Sequence, residues 1–262
     1  MREADTPDEL VADDAASPNA TQKVCAVLRA LASHAPAALR TIAFEAELNK
    51  VTTFRILNSL AREGFVRRPQ GSQLYDIGPE IAVFARAFND RVNLRTAARP
   101  SLLRLAARSG DVAVLSIRVG AEAVSLDRQT GDFPIQSNYL YPGTRRPLGV
   151  GAGATAILAA LPEEEYEALI ELLEPKLASY PRLSVRDVRE QVRLGRSRGY
   201  VVVVNQIVER MGGIARAIRS QGEVLGAIGI SALSDRIEMR QEQLAGWLDD
   251  AVQQTERTIC KE

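Results

Sequence analysis

The run KVTTFRILNSLAR, residues 50–62, places nucleic-acid-reading side chains along one side of a helix. At about 100° per residue, Phe54, Ile56, Leu57 and Leu60 gather on an apolar side. Val51, Arg55, Asn58, Ser59 and Arg62 fall on the opposite arc, with Thr52 at its edge and Lys50 at the helix start. Arginine pairs bidentately with guanine, asparagine suits adenine, and Val or Thr methyls suit the thymine methyl. The start of such a helix is where helix-turn-helix proteins approach base edges or phosphate. Arg67, Arg68 and Gln70 follow, placed to grip flanking phosphate. A solvated face turned to a protein partner is the alternative, and it would not need this chemistry.

Catalytic chemistry is harder to assemble. Gly149-Val150-Gly151-Ala152-Gly153-Ala154 formally fits the loose dinucleotide pattern, which needs a strand before it and an acid at the end of the next strand. A Pro-rich loop precedes it here and Glu174 lies in helical sequence, so no cofactor is expected. Beyond residue 95 there is no histidine, and Cys260 stands almost at the last residue. Cys/His and Ser/His catalysis lack parts there, so an enzyme is not expected. A small-molecule enzyme or sensor domain fused to a protein-interaction helical module is the runner-up. Cys25 and Cys260 show neither metal-ligand spacing nor a partner cluster, which suits reduced cytoplasmic thiols and no metal.

The elements that must position these residues follow from patterning. A chain of 262 residues has room for two modest domains. Its zero net charge hides a division: residues 1–18 carry one base and six acids, residues 19–95 eleven bases and six acids, and the remainder 21 of each. Residues 1–18 read as a disordered acidic tail. A helix starting near Thr21 carries Val24, Val27, Leu28 and Leu31, and a short one over 39–46 turns Leu39, Ile42 and Ala43 inward. Asn49 is placed to cap the helix from Lys50, which buries Phe54, Leu57 and Leu60 and ends at Gly64 in a left-handed cap. Two short β runs around Pro69-Gln70-Gly71-Ser72 make a hairpin, completing a winged helix-turn-helix over residues 19–80. Ile81, Phe84, Ala85 and Phe88 mark a linker helix within 81–98.

Residues 99–262 read as an α+β domain, strands with helices outside. Ala113, Leu115, Ile117 and Val119 alternate inward on one strand, and residues 123–126 form the next. Residues 132–149 are expected to be a long irregular loop. Small-residue helix 151–161, an acid-started helix after Pro162, and a capping box at Ser184-Val185-Arg186-Asp187 follow. Residues 200–204, 214–218 and 224–230 read as strands, and a helix through Leu244, Trp247, Leu248 and Val252 closes the chain. No apolar run of about 18 residues exists and the acidic start resembles no signal peptide, so a cytoplasmic protein with no membrane partner is expected.

Residues 48–60, then Glu63-Gly64-Phe65-Val66 and Tyr75-Asp76-Ile77-Gly78, resemble the isocitrate lyase regulator (IclR) family. Gly151-Ala152-Gly153-Ala154 with Ile157-Leu158-Ala159, Arg198-Gly199-Tyr200 and Gly213-Ile214-Ala215 extend the likeness over residues 20–258. Each motif is loose; their order makes the match specific. The resemblance implies a transcriptional regulator, a homodimer or tetramer binding a double-stranded DNA operator through paired winged domains. It also implies a GAF-like C-terminal domain, with an antiparallel sheet flanked by helices, that senses a small carboxylate. Position by position it points to Leu140, Gly151, Ala152, Val203, Met211, Gly213, Gly229 and Ser231 as effector contacts. Helix–sheet packing equally favours the small residues among them. Arg145, Arg146 and Arg210 are candidates to neutralise an acid ligand. Three positions depart from the family pattern. Glu47 replaces a usual turn Gly, so that turn is expected to use another conformation, while Gln206 and Arg210 replace a usual acid and Gly.

Overall fold

The computed structural model describes residues 18–89 and 94–260. The segment read as an acidic tail, save Pro18, and residues 90–93 of the expected linker lie outside these residues, as does the side chain of Phe88. The chain divides into two units between Ala85 and Arg86.

In the first unit, helix α1 (Ala20–His34) opens on a reciprocal capping box, with Gln22 N donating to Asn19 Oδ1 at 2.9 Å and Asn19 N to Gln22 Oε1 at 2.7 Å. Strand β1 (Ala37–Ala38) and helix α2 (Leu39–Glu45) follow. Helix α3 (Lys50–Arg62) is capped as its sequence requires, Thr52 N donating to Asn49 Oδ1 at 2.8 Å. Strands β2 (Val66–Arg67) and β3 (Leu74–Ile77) form the wing, and β1 adds to it in the antiparallel order β1-β3-β2. Gly64 closes α3 at φ 77°, with Phe65 N donating to Leu60 O at 2.9 Å. Val27, Leu31, Ile42, Leu57, Leu60 and Tyr75 build one small core.

Two expectations in this unit are corrected. Thr53, not Phe54, completes the buried stripe of α3: Thr53 is fully buried and Phe54 is 43% exposed. Thr53, Leu57 and Leu60 stand at i, i+4 and i+7, and Phe54 lies one residue off that line. The Thr53 hydroxyl is satisfied by donating to Asn49 O at 3.0 Å, so burying it is inexpensive. Glu47 does not use another conformation: it adopts the left-handed backbone itself, at φ 53°.

Helix α4 (Glu80–Asn89) leaves the wing. In the second unit, helix α5 (Leu94–Ser109) buries Leu94, Ala98, Leu102 and Leu105 in that unit's own core. Strands β4 (Val112–Val119) and β5 (Glu122–Gln129) form a hairpin, and β6 (Arg145–Pro147) pairs with β5 inside the stretch expected to be irregular. Three helices follow: α6 (Ala152–Ala160), α7 (Glu163–Leu177) and α8 (Val185–Arg198). The Ser184–Asp187 capping box forms as read. Strands β7 (Val201–Val204), β8 (Met211–Ser220) and β9 (Glu223–Leu233) complete an antiparallel sheet of order β6-β5-β4-β9-β8-β7. Helices α9 (Ser234–Met239) and α10 (Gln241–Ile259) end the described chain.

Two cores sandwich the sheet, α6, α7 and α8 on one face and α5, α9 and α10 on the other. The α+β class with helix-flanked antiparallel sheet is therefore as expected. The one-sided alternation read for β4 is not: Val112 through Ser116 are all buried, because both faces are covered, whereas Val119 at the far end is 43% exposed.

Candidate functional site

α3 turns its polar arc outward. Lys50, Val51, Arg55, Ser59 and Arg62 are exposed, and Thr52 and Asn58 are half-buried. None of Lys50, Arg55 and Arg62 pairs with a carboxylate among the described residues. The wing's cations are committed differently. Arg67 donates from Nε and Nη2 to Asp76 Oδ2, at 3.1 and 2.5 Å, and these bonds hold the Asp76 carboxyl below its usual range. Arg68 lies over the Tyr75 ring, 5.4 Å from its centroid, and donates to Ser72 O at 2.9 Å. Gln70 is exposed near the wing's tip. The outer arc of α3 can thus offer unpaired charge and amide groups to base edges, while Arg67 and Arg68 present charge already shared within the wing.

The second unit holds a cavity between the sheet and α6. Leu140, Gly151, Ala152, Val203, Met211, Gly213, Gly229 and Ser231 all line it, brought together from a span of 92 residues. Val114, Ile214 and Ile230 line it from the sheet, Tyr139 and Thr144 from the loop before β6, and Ile207 and Val208 from the β7–β8 connection. Gly151 takes φ 87°, a left-handed-side value that glycine adopts without a Cβ penalty. Its N–H donates to Gln206 Oε1 at 3.3 Å, and Gln206 Nε2 donates to Gln191 Oε1 at 3.3 Å. Ser231 Oγ lies 3.4 Å from Tyr139 Oη and donates to Gly212 O at 3.4 Å. The first-turn N–H groups of α6 have no intrahelical acceptor, and with the helix dipole they favour an anion.

Spacing alone left three arginines open, and the structure separates them. Arg145 pairs with Glu122 at 2.8 Å, Arg210 is exposed, and Arg146 lines the cavity. Burial pushes the Arg146 guanidinium below its ordinary pKa, against the opposing pull of Tyr139 and Tyr180. Ser116, Ser125, Tyr139 and Thr144 also line the cavity and were missed in the sequence, where isolated hydroxyls on strands and loops carry no spacing signal. Arg210, like Glu47, holds a left-handed backbone, at φ 63°, with its N–H donating to Asn205 Oδ1 at 2.7 Å. Among the described residues no group of three His, Cys, Asp or Glu is arranged for a metal, and no helix is long and apolar enough to cross a membrane.

Residues 20–70 match the family model of the IclR helix-turn-helix domain, and residues 87–261 that of the bacterial transcriptional regulator IclR C-terminal domain. The chain is 28% identical to the HTH-type transcriptional regulator KipR of Bacillus subtilis over 215 residues, 80% of this chain and 84% of that protein. It is 29% identical to the HTH-type transcriptional repressor AllR of Escherichia coli over 203 residues, 75% of this chain and 73% of that one. Its fold is similar to a putative IclR regulator from Silicibacter, with TM-score 0.75, 19% identity, and 92% and 96% of the two chains covered. It is also similar to an IclR homologue from Microbacterium hydrocarbonoxydans complexed with 4-hydroxybenzoate, with TM-score 0.71, 20% identity, and 93% and 100% covered.

Proposed function

The chain belongs to the IclR family of bacterial DNA-binding transcriptional regulators, and we propose that a small carboxylate in the second unit's cavity sets its affinity for operator DNA. On this reading residues 19–80 bind the operator in the cytoplasm, residues 81–98 link, and residues 99–262 bind effector and hold a homodimer or tetramer together. Lys50, Val51, Thr52, Arg55, Asn58, Ser59 and Arg62 meet bases and nearby phosphates in the major groove. Arg67, Arg68 and Gln70 meet flanking backbone.

The single observation that carries the sensing half is convergence. Eight positions implied by family resemblance, far apart in sequence, line one cavity. The bound carboxylate of the Microbacterium homologue supports the ligand class. A ligand shifts the protein between two arrangements only by the difference in its affinity for them, so effector and operator must bind with mutual influence. Titrating duplex DNA from the gene's own upstream region, with and without a broad panel of metabolites, tests this. Operator affinity should change several-fold with at least one acid. Identical affinities across the panel would remove the sensing claim, and no binding to that duplex at low salt would remove the operator assignment.

A further inference from the structure

Arg146 differs from every other partly buried arginine of its unit. Arg118, Arg216, Arg236 and Arg240 each hold a carboxylate, and Arg128 donates to the Ser137 carbonyl at 2.7 Å. Arg146 has no carboxylate or hydrogen-bond acceptor among the described residues. Its guanidinium rests on the Tyr139 ring, 5.0 Å from the centroid, an attraction that steadies a cation without satisfying its donors. A partly desolvated guanidinium without acceptors is costly, and a ligand that supplied them would recover that cost.

The rest of the lining narrows the ligand. Among the described residues Arg146 is its only charged side chain, and none that lines it is Asp or Glu. At Gln206 the lining carries a neutral amide, 7% exposed, whose oxygen already accepts from Gly151 N–H. The remaining polar side chains are hydroxyls, from Ser116, Ser125, Tyr139, Thr144 and Ser231. One positive charge among neutral side chains matches one negative charge; a second carboxylate would meet only the first-turn N–H groups of α6 and no second cation.

From these observations we infer that Arg146 is the residue that selects charge in this cavity, and that its ligand is a monocarboxylate. The carboxylate takes the guanidinium, and a hydroxyl or carbonyl oxygen on the ligand meets the Tyr139–Ser231 pair. This rests on the sensing reading above but can fail without it.

The test uses the full chain, with propionate, lactate, benzoate and succinate as probes and propionamide, lactamide and benzamide as neutral matches, read by titration calorimetry and thermal shift. At least one of the three monocarboxylates should bind at least tenfold more tightly than its amide, and more tightly than succinate. Arg146→Gln should bring acid and amide level, while unchanged near-ultraviolet dichroism shows the fold intact. Arg146→Lys, which keeps the charge without the planar fork, should restore part of the preference. An Arg146→Gln protein that still prefers acids would overturn the inference, as would stronger binding of succinate, or no binding of any of the three monocarboxylates. Sensing itself falls only if operator affinity ignores the whole metabolite panel.

Discussion

Arg55 and Arg67 carry the same group in different circumstances, so they should respond differently to removal. Arg55 is exposed on α3 without a carboxylate partner, whereas the Arg67 fork is spent on Asp76. Arg55→Ala should weaken operator binding by about 1–3 kcal/mol and relax preference at one base position. Fluorescence anisotropy on operators with single-base changes would show it, and unchanged affinity would strike Arg55 from the contacts. Arg67→Ala should cost less, and about equally across sequences. A second contrast concerns backbone. Glu47 and Arg210 hold left-handed conformations, at φ 53° and 63°, where a Cβ is disfavoured by roughly 1–2 kcal/mol. Glycine would relieve that strain but gain about 0.4–1 kcal/mol of unfolded-state freedom to lose. Glu47→Gly should therefore leave stability unchanged or raise it by up to about 1.6 kcal/mol, visible in urea unfolding of the intact protein. A clear loss would mean that the Glu47 side chain contributes contacts outweighing its backbone strain.

At the scale of elements, α5 is fastened to the sheet by charge as well as by packing. Asp127 on β5 is buried, and its carboxylate accepts from Arg99 at 3.0 Å and Arg95 at 3.4 Å, both on α5. Burial pushes its pKa up, but the Arg128 backbone N–H and the two arginines outweigh that and leave it below the ordinary carboxyl value. A carboxyl depressed in the native state contributes stability above its unfolded pKa and loses it as pH falls through the native value. Melting temperature should therefore drop as pH falls below about 4. Asp127→Asn should be less stable by about 1–3 kcal/mol at pH 7 yet lose less on acidification, and equal acid sensitivity in the two proteins would refute the linkage. These helices and strands were unevenly legible in sequence. The capped helices α3 and α8 announced themselves because a cap and an apolar stripe agree, and α1 did so by its stripe alone. β1 is two alanines and β6 is Arg-Arg-Pro, and neither has a side-chain pattern to read; their pairing partners create them. α5 was passed over because Arg95, Arg99, Pro100 and Arg104 break its stripe, yet two of those arginines are what anchor it. The cavity's eight family positions came through resemblance. Which arginine enters it depends on the facing of β6, which turns Arg145 to Glu122 and Arg146 inward.

For the whole molecule, the relevant quantity is where charge lies along the chain. Residues 19–95 carry a net +5, residues 1–17 a net −5, and the rest balances. Duplex DNA releases counterions as it is neutralised, with a slope of about −0.9 in log K against log salt for each phosphate contact. Lys50, Arg55 and Arg62 from two copies would contribute a slope of about −5. Acidic residues joined to the basic unit would oppose this at a distance by repelling the same phosphates. Their effect must be electrostatic in range and so fade once the Debye length shrinks from about 10 Å at 0.1 M salt towards 3 Å at 1 M. Removing residues 1–17 should therefore tighten binding to non-operator duplex several-fold at 50 mM salt and leave it nearly unchanged at 0.5 M. Discrimination between operator and random duplex should stay nearly unchanged, since the repulsion bears on both alike and cancels in their ratio. Filter binding across a salt series with the full and shortened chains separates the cases. A gain that persists at high salt would point to steric masking instead of charge, and no gain at 50 mM would mean that the acidic residues do not act on the DNA-binding face.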